Sequence, residues 1–222
     1  IFIGYDTVEA GAFHVLTHSI LRNASMPVSI VPVTLKSLEG ILTRERHPLQ
    51  SNEFAFSRFL VPWLCGYEGH ALFMDCDMLL LDDIAKLWAR RDDHAVQCVH
   101  HDYTPVETEK YLGAVQTSYA RKNWSSVMLF NNAKCRVLTP EYINRADGLD
   151  LHQFKWLPDH EIGWLPDVWN HLVGVQPMRQ GVKNVHWTIG GPYFEEYANC
   201  DFHQEWFREK AMSQFIAQRK KP

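Results

Sequence analysis

Paired cysteine is the first thing this chain of 222 residues lacks. Cys65, Cys76, Cys98, Cys135 and Cys200 stand far apart, with no C-x-x-C pair and an odd total. That excludes a disulfide framework or a zinc knuckle and fits buried thiols in a reducing compartment. An excess of positive charge is also missing: 22 Lys and Arg face 26 Asp and Glu, a formal net charge of −4, and basic residues cluster only in "AQRKKP" at the end. A general nucleic-acid surface is not expected. No apolar run reaches the ~18 residues of a membrane span, and no basic leader with a small-residue cleavage site is visible. The expectation is a cytoplasmic protein without stable membrane insertion, its short basic end a solvated tail. Repeats, low-complexity segments and linkers are absent too, so one domain is the simpler reading.

What is present is an alternation of short apolar runs and helical spacings. "IFIGYD" reads as a strand, and Phe13, Leu16 and Ile20 within Gly11 to Asn23 as a helix. "PVSIVPV" (27–33) reads as a strand, "EFAFSRFLVPWLCG" (53–66) as a helix slowed by Pro62, and "HALFMD" as a strand. "DDIAKLWARR" reads as a helix and "AVQCVHH", "SSVMLFNN" and "KNVHWT" as strands, while Thr139 caps a helix with Pro140 in its first turn. The C-terminal stretch from Glu195 reads as helical. This alternation predicts an α/β layered fold with a mainly parallel sheet.

Within it, "ALFMDCDMLLLDDI" places Asp75 and Asp77 two apart, directly after an apolar run. Carboxylates are costly to bury without a positive or hydrogen-bonding partner. The pair is therefore either a strand end followed by a polar turn or a metal site. In open α/β sheets, ligands gather beyond the carboxyl ends of parallel strands. Asp6 ends the first strand and Asp75 with Asp77 a later one, so all three can share one rim. A D-x-D turn offers both carboxylates to one hard divalent cation, Mg²⁺ or Mn²⁺.

Taken in order, "FAFSRF", the acidic pair, "NWSSVMLFNN", "LPDHEIGWLPDVWN" and "VHWTIGGPYF" resemble the glycosyltransferases of family 8, the glycogenin and bacterial galactosyltransferase type, from residue 1 to about 194. The resemblance implies a single GT-A-like, Rossmann-like α/β domain with a mainly parallel mixed sheet flanked by helices. Its catalytic part would be 1–194, with 195–222 as a C-terminal helical extension. It implies a metal-dependent, retaining glycosyltransferase that moves a hexose from a UDP-sugar, UDP-glucose or UDP-galactose, to a hydroxyl of a carbohydrate, lipid-linked or protein acceptor.

Carried over by position, the resemblance makes Asp75, Asp77 and His186 the metal ligands, with Mn²⁺ favoured over Mg²⁺ because nitrogen ligation suits the softer ion. It implies donor contacts at Tyr5, Asp6, Arg58, Asp75, Cys76, Ser125, Ser126, Gly190 and Gly191, with Tyr5 and Asp6 at the uracil and ribose. His160 stands where the family has Gln near the reacting face of the sugar, beside Asp159; these two and Arg58 are the catalytic candidates. Two departures stand out. The glycine of the family's "F-N-S-G-V" is absent from "NWSSV", and no Lys precedes Pro192 in the late motif, so Lys183 or Arg179 would have to supply charge to a diphosphate. A sugar-nucleotide-binding protein without transfer is one alternative. A sugar nucleotidyltransferase is another, although "GYDTVEAGAF" lacks its basic glycine-rich loop. Trp156, Trp164 and Trp169 could stack on a sugar or fill core.

Overall fold

The apolar start of the chain forms β1 (Phe2–Gly4), and the periodic stretch after it forms α1 (Ala10–Asn23), whose Ala12, Phe13, Val15, Leu16, Ser19 and Ile20 share one buried face. In the computed structural model, which describes residues 1–45, 50, 52–102, 111–113 and 119–214, the chain continues through β2 (Val31–Val33), α2 (Val61–Leu64), β3 (His70–Met74), β4 (Met78–Leu80), α3 (Ile84–Trp88) and β5 (Val96–Cys98). It then forms β6 (Val127–Asn131), α4 (Pro140–Arg145), α5 (Gly148–His152), β7 (Ile162–Trp164), β8 (His171–Leu172), β9 (Asn184–His186) and α6 (His203–Ser213). The basic end of the chain lies outside the described residues.

Several expected elements form with local chemistry visible. Asp83 caps α3 by accepting from the Ala85 amide, and Thr139 caps α4 by accepting from the Tyr142 amide with Pro140 in the first turn. The helix expected over 53–66 is interrupted. Ser57–Leu60 is a 3-10 turn and α2 begins anew at Val61, because Pro62 lacks the N–H that a continuous helix would use. The strand expected over 27–33 pairs only from Val31.

Among the described residues the large sheet has six strands in the order β2-β1-β3-β6-β5-β7. Pairings β1–β2, β1–β3 and β5–β7 are parallel, whereas β6 runs antiparallel to both neighbours, giving a mainly parallel mixed sheet. A second sheet, β4-β9-β8, stands beside it. Leu16, Ile20, Phe59, Leu72, Phe73, Met128, Phe130 and Trp169 belong to the main core, while Val15, Leu79, Val185, Trp187 and Trp206 form a smaller one under the second sheet. Helix α1 joins the two. Its Ser19 hydroxyl accepts from the Leu80 amide at 3.1 Å and its Asn23 amide donates to the Leu80 carbonyl at 3.1 Å, so the open edge of β4 finds partners.

The C-terminal helix α6 is tied to α1 by one carboxylate. Glu209, buried, accepts from Arg22 Nε at 3.0 Å, pairs with Arg22 Nη2 at 2.8 Å and bonds His18 Nδ1 at 2.6 Å. Both partners reach water, which limits the cost of losing the bond. Glu209→Ala should lower unfolding stability in urea by roughly 1–3 kcal/mol, the range for hydrogen bonds to a charged group. An unchanged denaturation midpoint would show that α6 is held by its apolar face alone.

Candidate functional site

Strand β3 ends at Met74 and β4 begins at Met78, so Asp75–Cys76–Asp77 is the crossing between the two sheets. The backbone is pinned on both sides: Asp75 N–H donates to the Ser126 carbonyl at 2.9 Å, and Trp187 N–H donates to the Asp77 carbonyl at 3.0 Å. Cys76 between them is fully buried and joins the main core. Asp75 and Asp77 are 7% and 8% exposed. Strand register brings in the third residue, since Met78 pairs with His186 on β9. Asp75, Asp77 and His186 each offer a ligand atom within 4.8 Å of the others, with His186 Nε2 3.4 Å from Asp77 Oδ2.

Arg58 occupies the other flank of Asp75. The 3-10 turn Ser57–Leu60 buries its guanidinium, which pairs with Asp75 Oδ1 at 2.8 Å and donates to the Ser125 carbonyl at 2.9 Å. Phe54 and Phe73 rings flank it at 5.2 and 5.1 Å. Gly4 makes room for this arrangement, because a Cβ there would lie 2.4 Å from the Phe54 ring.

Further carboxylates converge on the same place. Burial first, and then Glu9, Asp77, Asp75 and Asp6, push the Cys76 thiol well up, which puts four carboxylates in the field of one sulfur. Asp6 is buried and holds two loops together: its oxygens accept from the Val8 amide at 2.8 Å and the Glu53 amide at 2.9 Å. Tyr5 beside it meets Phe13 edge-on at 5.2 Å. The Tyr193 hydroxyl donates to Glu9 Oε1 at 2.7 Å, and burial with the nearby Glu9 and Asp77 holds that phenol well above its ordinary range. A buried group of acids this dense, with Arg58 salt-bridged to Asp75, suits a cation. The donor set fits a divalent ion: carboxylate oxygens and one imidazole nitrogen.

The remaining candidates divide. Ser125 and Ser126 lie beside Asp75, but their hydroxyls are engaged within the protein, Ser125 with His152 Nδ1 at 2.8 Å and Ser126 with the Asn123 carbonyl at 2.6 Å. Gly190 and Gly191 are needed by their neighbours, since a Cβ would fall 2.4 Å from the Tyr197 ring and 2.2 Å from the Tyr193 ring. Lys183 pairs with Asp82 at 2.8 Å and Arg179 with Asp167 at 2.9 Å. Trp156 and Trp169 fill core, while Trp164 is 59% exposed on β7.

His160 stands apart from this group. It precedes β7 and lines a cavity with Asp92, Asp93, His94, Lys134 and Glu161, residues at the amino end of β5 and β7. Asp75 lies at the carboxyl end of β3, which runs in the same direction, so the five residues of β3 separate the two places by about 15 Å. Asp159 ends in an exposed ion pair with Arg121 at 2.7 Å. The short motif in "PDHEI" carries no information on which end of a strand it will occupy.

Residues that the sequence did not single out stand there instead. Asn170 Oδ1 lies 2.9 Å from His186 Nδ1. His152 and Tyr119 adjoin Arg58; burial and then the Arg58 charge hold His152 well below its ordinary range, so it is neutral at pH 7. His101, after β5 on the same rim, is pushed down to about 3 by burial and by its proximity to His186. Only Asn170 had a signal, as the polar residue closing "PDVWN".

No family model matches the chain. Protein CDI of Arabidopsis thaliana is 47% identical over 232 aligned positions, which take in 100% of this chain and 88% of that protein. Among solved structures, the WbbM bifunctional glycosyltransferase superposes with a TM-score of 0.67 at 14% identity, over 95% of this chain and 49% of its own. GlyE, a glycosyltransferase of Streptococcus pneumoniae, gives 0.61 at 14% identity over 97% of this chain and 60% of its own. The galactosyltransferase LgtC, solved with donor and acceptor sugar analogues, gives 0.55 at 12% identity over 98% and 97%. The chain thus spans 49% of WbbM and 60% of GlyE. At these identities the likeness is one of fold: the chain has the mixed α/β fold of GT-A glycosyltransferases.

The placement of His160 is directly testable. If the carboxylate site takes a divalent cation, His160→Ala should leave that binding, followed by calorimetry, unchanged. Its loss would return this histidine to the carboxylate site.

Proposed function

The chain belongs to the same family as Protein CDI of Arabidopsis thaliana, and from the site built on this fold we propose that it is a metal-dependent glycosyltransferase of the family 8 type. It would transfer a hexose, with retention, from a UDP-sugar to an acceptor hydroxyl, UDP-glucose and UDP-galactose being the preferred donors. The observation that carries this reading is the grouping of Asp75, Asp77 and His186 at the rim of a glycosyltransferase fold. LgtC, a galactosyltransferase whose structure holds donor and acceptor sugar analogues, shares that fold over nearly its whole length, which favours a hexose donor.

In this reading Asp75, Asp77 and His186 hold the ion, Mn²⁺ before Mg²⁺. When bound, it supplies Lewis-acid stabilisation to a departing nucleoside diphosphate. Arg58 fixes the Asp75 carboxylate through its 2.8 Å pair, and this orienting role replaces direct contact with the donor as its main task. Tyr5 and Asp6 shape the nucleotide end, with Asp6 acting through the loops it ties. Ser125 and Ser126 bound the sugar side through the segment they stiffen, and Gly190 and Gly191 let the 190–197 segment close beside Glu9.

One observation favours the second reading, a sugar-nucleotide-binding protein without transfer. Lys183 and Arg179, the cations nearest the late motif in sequence, are both paired to aspartates, so charge on a leaving diphosphate would rest on the ion and its ligands. Turnover decides between the two.

A screen of UDP-sugars for Mn²⁺-dependent UDP release, with and without acceptors, is the direct test. His186→Ala should slow that release by ~10²–10³, the cost of losing one group that stabilises charge in the transition state. Asp77→Asn should remove Mn²⁺-dependent UDP binding while the protein melts normally. Asp75→Asn should also destabilise the fold, because it leaves Arg58 buried without its counter-charge. A product with inverted anomeric configuration by proton NMR would refute the retaining assignment, and absence of turnover with intact UDP binding would select the binding protein.

A further inference from the structure

Behind His186 lies a chain of polar groups whose directions can be read from what each can donate. Ser126 Oγ is 2.6 Å from the Asn123 carbonyl oxygen. A carbonyl only accepts, so the hydroxyl proton points there. The same Oγ lies 2.8 Å from Asn170 Nδ2 and, with its proton committed, serves as the acceptor. Asn170 Nδ2 also faces the Asn123 carbonyl at 3.4 Å. Turning the amide over would set its oxygen against a carbonyl oxygen and a hydroxyl whose proton is spent. The amide therefore presents Oδ1 to His186, whose Nδ1 is 2.9 Å away and must carry the hydrogen.

With Nδ1 engaged in this way, Nε2 is the ring nitrogen that faces Asp77 Oδ2, at 3.4 Å. In the Nδ1–H tautomer the lone pair lies on Nε2, so this nitrogen and the carboxylate can ligate one cation together. We infer that Asn170 is a positioning residue: with Ser126 and Asn123 it holds His186 as the Nδ1–H tautomer and aims Nε2 at the cation site. This rests on the metal reading proposed above. The relay is rigid because Asn123 anchors it from two directions. Its backbone is left-handed at φ 62°, which Asn tolerates, and its side-chain oxygen accepts from Thr188 Oγ1 at 3.2 Å. Asn170 and His186 are fully or almost fully buried, so bulk water does not compete for these bonds.

Long-range ¹H–¹⁵N correlation on metal-free, ¹⁵N-labelled protein reads the tautomer, with the His186 signals assigned by their loss in His186→Asn. The expected wild-type result is a hydrogen on Nδ1 of His186. Asn170→Leu should shift it to Nε2 and weaken binding of Mn²⁺ alone, measured by electron paramagnetic resonance, by roughly 10–100-fold, the usual cost of losing such a partner. Ser126→Ala should weaken Mn²⁺ binding in the same direction and serves if Asn170→Leu does not fold. A wild-type ring with no hydrogen on Nδ1 would overturn the inference. So would a folded Asn170→Leu that keeps the Nδ1–H tautomer. Nδ1–H in a wild-type protein that takes up no Mn²⁺ would instead sink the metal reading while leaving the relay in place.

Discussion

The crossing of the chain from one sheet to the other at Asp75–Cys76–Asp77 is the constraint on which the site depends. Three residues must leave β3, which pairs with β1 and β6, and enter β4, which pairs with β9. Backbone bonds to Ser126 on one side and Trp187 on the other leave the segment little freedom. Once it is fixed, the two carboxylates stand together, and the β4–β9 register delivers His186 opposite Met78. The three side chains are thus held by backbone pairing to two sheets, a stiffer mounting than a free loop.

That mounting has an electrostatic cost. Asp6, Glu9, Asp75 and Asp77 are all buried and all raise the Cys76 thiol, while Arg58 is the guanidinium paired with Asp75. A fold selected for stability alone would not gather acids in this way. The surrounding chemistry limits the damage. Asp6 accepts two backbone amides, Glu9 accepts the Tyr193 hydroxyl, and the Arg58 guanidinium is shielded between Phe54 and Phe73. Violations of this kind, concentrated in one place and compensated around it, are what a functional site looks like in physical terms.

The two ends of the large sheet have separate characters. The carboxyl ends of β1, β3 and β5 lead into Tyr5 and Asp6, Asp75 and Asp77, and His101, which follows the rule that open α/β sheets bind beyond that edge. The amino ends of β5 and β7 carry Asp92, Asp93, His94, His160 and Glu161 with Lys134, a solvated polar border. The sequence does not place "PDHEI" at one edge or the other, because chemistry-bearing residue types occur at both, and strand direction, which sorts them, is a property of the assembled sheet.

Much was legible without coordinates. Apolar periodicity marked β1, α1, β3 and β6; Asp83 and Thr139 announced the caps of α3 and α4; and the D-x-D pair after an apolar run marked the metal candidates. His186 was reachable only through the pattern of several motifs together. Strands β4 and β8 and helix α5 were not legible: the first merges into the apolar run "MLLLDDI", β8 has two residues, and α5 is a single short helix. Asn170, Asn123 and Ser126 could not be read as a relay, since a polar residue in isolation does not reveal whether it is buried. By itself the sequence determined the elements whose signal is local, because periodicity and capping depend on residues within a few positions of each other. Tertiary structure alone decided that Asp77 and His186 should meet, that Arg58 should neutralise Asp75 and that His160 should stand at the far end, because those juxtapositions depend on strand order, direction and register across the whole chain.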